Sequence, residues 1–237
     1  MTATISARSA PSSITMNEQD LRQEIVDSAR AMNAMGINQG TSGNISARMG
    51  DTMLITPSAT AYDAMRPDQV AAMPIDGPGD GRCGAWTGPL KPSTEWRLHL
   101  DILRGRPDAG AVVHSHATFC TTLAIARREI PACHYMIAAF GGTNVRCAPY
   151  ATFGTAELAR HALTALEDRS ACLLANHGMI VMGATLAKAM WLALELETIA
   201  KQYCHSLLIG TPHILTDAEV ADTARSFAGY GLQDAAD

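Results

Sequence analysis

Residues 111–128 read AVVHSHATFCTTLAIARR. The first half is an apolar run broken by two histidines. The second half changes to residues that suit a helix. On a β-strand, residues i and i+2 point to the same face, so His114 and His116 look into one space. A strand feeding directly into a helix marks a mixed α/β chain. Taken alone, the two histidines are either satisfied side chains at a strand end or half of a metal site.

The neighbouring segments extend this pattern in both directions. Upstream, STEWRLHLDILRGRPD (93–108) is predicted as a helix with Ser93 or Thr94 as N-cap and Glu95 in its first turn. Downstream, CLLANHGMIVMG (172–183) reads as two strands bent at Asn176–Gly178, followed by a long helix over 185–210. The exposed face of that helix is expected to carry Lys188, Glu195, Glu197 and Lys201. Near the start, Leu21, Ile25, Ala29 and Met32 recur at helical spacing within 17–35, and Gly36 supplies a C-cap. NISARM (44–49) and TMLIT (52–56) form a hairpin about Gly50–Asp51, behind the small-residue loop GTSGN. The Pro- and Gly-rich stretch 74–92 is loop. Residues 1–16 read as a flexible tail, and 17–237 as a single α/β layered domain.

Composition narrows the function. The chain has 237 residues, a net charge of −5 and a hydrophobic share of 47%. This is enough to bury a large core, and the acidic balance argues against a general nucleic-acid binder. No apolar stretch is long enough for a transmembrane helix. The six cysteines are scattered, without a C-x-x-C pair, and read as reduced thiols of a cytoplasmic protein. There is no nucleophile elbow, no Walker-type phosphate loop and no dinucleotide fingerprint.

His177 stands in a tight NHG bend between apolar strands, where a polar ring needs a reason. Together with His114 and His116 it makes three imidazoles, the ligand set of an open catalytic zinc site. Glu95 has two readings: a first-turn acid favoured by the helix dipole, or a carboxylate beside the metal acting as base or displaceable ligand. His99, His161, His205 and His213 are expected to be ordinary surface or core histidines. GTSGN and KPSTE have small residues and hydroxyls able to approach an anion, though each alone is also plain loop chemistry.

Five segments taken in order, GTSGNIS, LITPSATAYD, KPSTEWRLHLDILRGRPDAGAVVHSHAT, EIPACHYMIAAFGGTNVRCAPYATFGT and LLANHGMIVMG, resemble the class II aldolase/adducin family. The fourth looks especially like the L-fuculose-1-phosphate aldolases. The resemblance runs from about Asn17 to Leu232. It implies a three-layer αβα sandwich around a mixed, mainly antiparallel sheet, assembled as a homotetramer with active sites at subunit interfaces. It implies Zn²⁺, or another divalent metal such as Mn²⁺ or Co²⁺, held by His114, His116 and His177, with Glu95 as acid/base group and occasional ligand. Gly43, Asn44, Ser58, Ser93 and Thr94 match phosphate-binding positions. Tyr135 matches a proton donor supplied by a neighbouring subunit, and Tyr230 a C-terminal tyrosine that closes over the site. Ala59 stands where the family often has Gly, and Thr94 where it often has Ser.

The expected reaction is cleavage of a ketose 1-phosphate to dihydroxyacetone phosphate and an aldehyde. L-Fuculose, 5-deoxyribulose and 5-methylthioribulose 1-phosphates are the candidate substrates. Sugar-phosphate 4-epimerase, dehydratase and decarboxylase activities occur in the same family, as does the non-catalytic adducin head.

Overall fold

A computed structural model of the chain describes residues 17–76 and 85–229. The expected tail (1–16), Cys83 and Tyr230 lie outside the described residues. Eight strands form one sheet: β1 (Asn44–Met49), β2 (Thr52–Ile55), β3 (Ala71–Pro74), β4 (Ala111–Ser115), β5 (Ile130–Pro131), β6 (Asn144–Ala148), β7 (Ala171–Leu174) and β8 (Gly178–Gly183). Their order across the sheet is β3-β2-β1-β4-β8-β7-β6-β5. Every neighbouring pair is antiparallel except β6–β7.

The six helices are α1 (Glu18–Ala34), α2 (Trp96–Gly105), α3 (Thr118–Ile125), α4 (Ala156–Ala165), α5 (Leu186–Ile209) and α6 (Asp217–Gly229). Strand alternation divides the apolar side chains into two cores. On one face Ile45, Ala47, Ala111, Val113 and Val181 pack with Ile25 and Ala29 of α1, Cys120 of α3 and Leu196 of α5. On the other, Ile55, Val112, Ile180 and Met182 pack with Leu98 and Ile102 of α2 and Leu158 and Ala162 of α4. The result is the expected three-layer αβα sandwich. β4 sits near the middle of the sheet, so its C-terminal end is enclosed on both sides.

Local chemistry explains the boundaries. Asn17 caps α1 by accepting the Asp20 N–H at 3.0 Å, and Gly36, just beyond the helix, takes the left-handed backbone. Gly50, also left-handed, turns the β1–β2 hairpin where it was expected. Thr155 and Thr185 cap α4 and α5 through their hydroxyls.

Two expectations are corrected. The N-cap of α2 is Glu95 itself, not Ser93 or Thr94, and the helix begins at Trp96. Ser93 instead turns its hydroxyl back to accept the Glu95 N–H at 3.2 Å. Glu197 does not lie on a free surface: its half-buried carboxylate accepts the Phe119 and Cys120 N–H groups at 2.8 and 2.9 Å. A carboxylate from α5 thus satisfies the orphan donors at the start of α3.

The junction of β8 and α5 is a close approach. A Cβ on Gly183 would stand 2.6 Å from the Ala189 amide nitrogen and 3.0 Å from its Cα, both backbone atoms that cannot rotate away. Gly183→Ala is therefore expected to destabilise the protein by roughly 1–3 kcal/mol through overpacking. Chemical denaturation measures this; an unchanged midpoint and slope would show that the junction can relax.

Candidate active site

His114 is the fourth residue of β4 and faces the α2 side of the sheet, two residues beyond Val112. Its Cα pairs with Asn44 on β1 and with Ile180 on β8. β4 ends at Ser115, so His116 lies just past the strand rather than on it. Its ring still returns to the same space: the two Nε2 atoms are 3.2 Å apart. His177 comes from the turn between β7 and β8. The turn is closed by the His177 N–H donating to Leu174 O at 3.0 Å and by Asn176 in the left-handed region. A short polar residue accepts that backbone more readily than most. The three imidazole nitrogens lie within 4.8 Å of one another.

Glu95 enters from the opposite layer, at the N-terminus of α2. It is 5% exposed. Its Oε2 is 3.1 Å from His114 Nε2, and its Oε1 is 3.3 Å from His177 Nε2. Burial alone would raise the carboxyl pKa. The close imidazoles of His114 and His177 overcome that and hold it well below the usual carboxylate range. Burial disfavours charge on His114 too, but Glu95 reverses the balance and raises its pKa. His116 is pushed down to about 4 by burial and by the neighbouring histidines.

The donor set fits a cation. His114 Nδ1 lies 2.8 Å from the Met179 carbonyl, which can only accept. The ring must therefore carry a proton on Nδ1, leaving Nε2 either protonated toward Glu95 or bare toward a metal. Two imidazole nitrogens sharing a tetrahedral ion stand roughly 3.3 Å apart, close to the observed separation of the His114 and His116 Nε2 atoms. Glu95 Oε1 is buried, and its approach to His177 fails hydrogen-bond geometry, so it lacks a hydrogen-bond partner among the described residues. A buried carboxylate oxygen without a donor, aimed into three histidines, suits a positive ion.

Two of the expected phosphate positions, Asn44 and Ser93, touch Glu95. Asn44 donates its amide N–H to Glu95 Oε2 at 3.0 Å. Gly43 lies against β4: a Cβ there would come within 2.7 Å of the His114 carbonyl, so only glycine lets the loop approach. Ser58 and Ser93 are brought together because Pro57 pairs with Pro92; the Ser58 N–H donates to Lys91 O, and the Ser93 N–H to Thr56 O. Thr94 is exposed between Ser93 and Glu95. Ala59 is exposed as well and holds a left-handed φ of 51°, a conformation glycine adopts without strain.

Tyr135 is placed elsewhere. It opens the 3₁₀ segment Tyr135–Phe140, is half exposed, and makes its ring contacts with His134 and Phe227. Two residues that the sequence did not single out also belong to the site. His99, expected to be an ordinary histidine, and Ser46 are buried with Asn44 beneath Glu95. The available signal was spacing: His99 is four residues after Glu95 on one helical face, and Ser46 is two residues after Asn44 on one strand face.

Comparison with known proteins agrees with this geometry. The family model for the class II aldolase and adducin N-terminal domain matches residues 23–204. A 5-methylthioribulose-1-phosphate/5-deoxyribulose-1-phosphate aldolase of Rhodospirillum rubrum is 51% identical over 211 residues, covering 89% of this chain and 92% of that protein. An L-fuculose phosphate aldolase of Escherichia coli K12 is 45% identical over 219 residues, covering 92% and 99% respectively. A solved L-fuculose 1-phosphate aldolase structure superposes with a TM-score of 0.83 at 37% identity, covering 88% of this chain and 96% of that one. With a matched span that contains both β4 and the β7–β8 turn, the chain belongs to the class II aldolase and adducin family.

Proposed function

We propose that the protein is a zinc-dependent aldolase that cleaves a ketose 1-phosphate to dihydroxyacetone phosphate and an aldehyde. The observation that carries this reading is the convergence of His114, His116, His177 and Glu95 at the end of β4, with Asn44 and Ser93 in contact with Glu95. The relatives named above carry aldolase names for ketose phosphates of this class.

His114, His116 and His177 would hold the metal, with Glu95 as a displaceable fourth ligand. When bound, Zn²⁺ supplies a Lewis acid for the negative charge that develops as the C3–C4 bond breaks. Glu95 returns a proton to the carbon left with the electron pair of that bond, and takes it away in the reverse direction. Its ionised form is favoured in the structure, so it is poised as a base. Backbone and hydroxyl groups at Gly43, Asn44, Ser58, Ser93 and Thr94 would anchor the phosphate and so fix the reacting carbons. Tyr135, from a neighbouring subunit, would take the C4 hydroxyl proton as the aldehyde forms and return it to the aldehyde oxygen in the reverse direction, and Tyr230 would close over the site.

A homotetramer supplies that neighbour. Tyr135, Tyr150, Phe153 and Trp191 are exposed on this chain and offer apolar surface to a second copy. The five described cysteines are all free thiols, which suits a cytoplasmic enzyme. No helix among the described residues is long and apolar enough to cross a membrane.

Three outcomes test the reading. Purified protein supplied with L-fuculose, 5-deoxyribulose and 5-methylthioribulose 1-phosphates should release dihydroxyacetone phosphate from at least one, measured with a coupled reductase. Release from none sinks the proposal, and epimerised product without cleavage points to the epimerase branch.

Elemental analysis should find about one zinc per chain, lost in His114→Ala. Glu95→Gln should keep the metal but lower kcat by roughly 10²–10⁴-fold, the usual size of a general acid–base contribution. A Glu95→Gln protein with unchanged kcat removes Glu95 from the chemistry.

Metal affinity should rise with pH. His114 has a raised pKa without metal, so a proton competes with the metal for its Nε2 and binding must expel it. Calorimetry in buffers of different ionisation enthalpy should show proton release that fades as pH climbs above the His114 pKa. Proton uptake on loading would contradict this assignment.

A further inference from the structure

His99 sits one helical turn after Glu95, on the helix that supplies the α2-side core, and is fully buried, at 0% exposure. A polar ring in that setting costs free energy unless both nitrogens are paired. Both are. Ser46 Oγ is 2.8 Å from Nδ1, and Asn44 Oδ1 is 2.5 Å from Nε2.

The direction of these bonds follows from chemistry. A carboxylate can only accept, so Asn44 must present its NH₂ end to Glu95 Oε2. Its carbonyl end therefore faces His99, and a carbonyl also only accepts, so the proton of His99 is on Nε2. Burial pushes the His99 pKa down to about 3, which keeps the ring neutral. Nδ1 is then an acceptor, and Ser46 O–H donates to it. The chain runs one way: Ser46 to His99 to Asn44 to Glu95.

We propose that His99 is a positioning residue for Glu95, holding the Asn44 amide in the one orientation that offers a donor to the carboxylate. The proposal rests on the reading of Glu95 as the acid/base group. Asn44 rotated by half a turn would set its carbonyl oxygen against Glu95, two acceptors facing each other. His99 disfavours that state because its Nε2–H has no other acceptor, and the alternative Nδ1–H tautomer would require the Ser46 hydroxyl to turn round as well. An apolar residue would fill the space between β1 and α2 but leave Asn44 free to turn. The alternation of β1 makes the arrangement possible: Asn44 and Ser46 share the face that meets α2, and His99 spans the two.

The test has a spectroscopic arm and a kinetic arm. In zinc-loaded protein labelled with ¹⁵N-histidine, long-range ¹H–¹⁵N correlation should show His99 as the neutral Nε2–H tautomer. An Nδ1–H tautomer or a charged ring overturns the proposal. This arm stands whether or not the protein cleaves ketose phosphates, so failure of the aldolase reading is distinguishable from failure of the chain.

In the active enzyme, His99→Leu should lower kcat by roughly 10–100-fold, the usual effect of losing an outer-shell partner, with a smaller change in KM and zinc content intact. His99→Gln, whose terminal amide can replace the Nε2–H donor, should recover most of that loss. Equal kcat in the Leu and Gln variants would reduce His99 to a packing residue. Should His99→Leu not fold, Ser46→Ala gives the same decision: it removes the donor to Nδ1, so a mixture of His99 tautomers with a fall in kcat supports the chain, and an unchanged ring and rate overturn it.

Discussion

Everything at the site depends on the pairing of β4 with β1 on one side and β8 on the other. That pairing puts His114 beside Asn44 in one register and beside Ile180 in the other, with Met179 O in reach of its Nδ1. A slip of one residue would turn His114 into the α1–α5 core and bring Val113 to the site face. The register is held by both cores at once, because Val112 and Val113 are each fully buried on opposite faces. Glycines let the flanking chain come close. A Cβ on Gly43 would strike the His114 carbonyl, and one on Gly178 would lie 2.5 Å from the Ser115 carbonyl. The strand end is thus gripped on both edges by backbone alone, which fixes the imidazoles without spending a side chain on the task.

The electrostatic balance has a matching logic. Burying Glu95 is unfavourable by itself, and only the paired histidines make its charge tolerable. The same carboxylate favours the protonated form of His114 in the absence of a cation. A divalent metal in place of that proton would leave the site one positive charge richer. His116, with its depressed pKa, contributes a neutral ligand without further cost. The cluster is a poor stabiliser of the fold and a good receptor for a divalent ion, since removing either partner alone leaves the other buried and unpaired.

Strands, hairpin and helices with strong periodicity were legible in the sequence: α1, β1–β2, β4, α3, the β7–β8 turn and α5. The three histidines were legible because an H-x-H at a strand end and a polar ring in an apolar turn are both local signals. The start of α2 was not. Ser93, Thr94 and Glu95 are all acceptable near an N-terminus, and local propensity could not show that Glu95 is withdrawn from helix duty by histidines from another layer. β5 and β6 were not legible because they are short and lack strict alternation. Glu197 looked like surface charge because its partners, the Phe119 and Cys120 amides, are far away in sequence. His99 is the core histidine expected, but its partners Asn44 and Ser46 lie more than fifty residues earlier, so the sequence could not show how its ring is paired. The family resemblance supplied what local rules could not, namely a role for Glu95 and the phosphate positions.

The expected site residues divide into two populations that differ in burial. His114, His177, Glu95, Asn44 and Ser93 sit on strand ends or at the start of α2, buried or nearly so and tied to backbone or to one another. Tyr135 lies on an outer 3₁₀ segment with half its surface open. On the proposed reading, the first population handles the phosphate and the carbon–carbon bond, which every ketose 1-phosphate shares. The second meets the departing aldehyde, the part that differs between substrates. This separation accounts for two relatives with aldolase names for different sugar phosphates matching the chain at 51% and 45% identity. Overall likeness follows the shared, buried half of the site. On the same reading, substrate choice would fall to the few exposed side chains around the aldehyde, where substitutions cost the fold little.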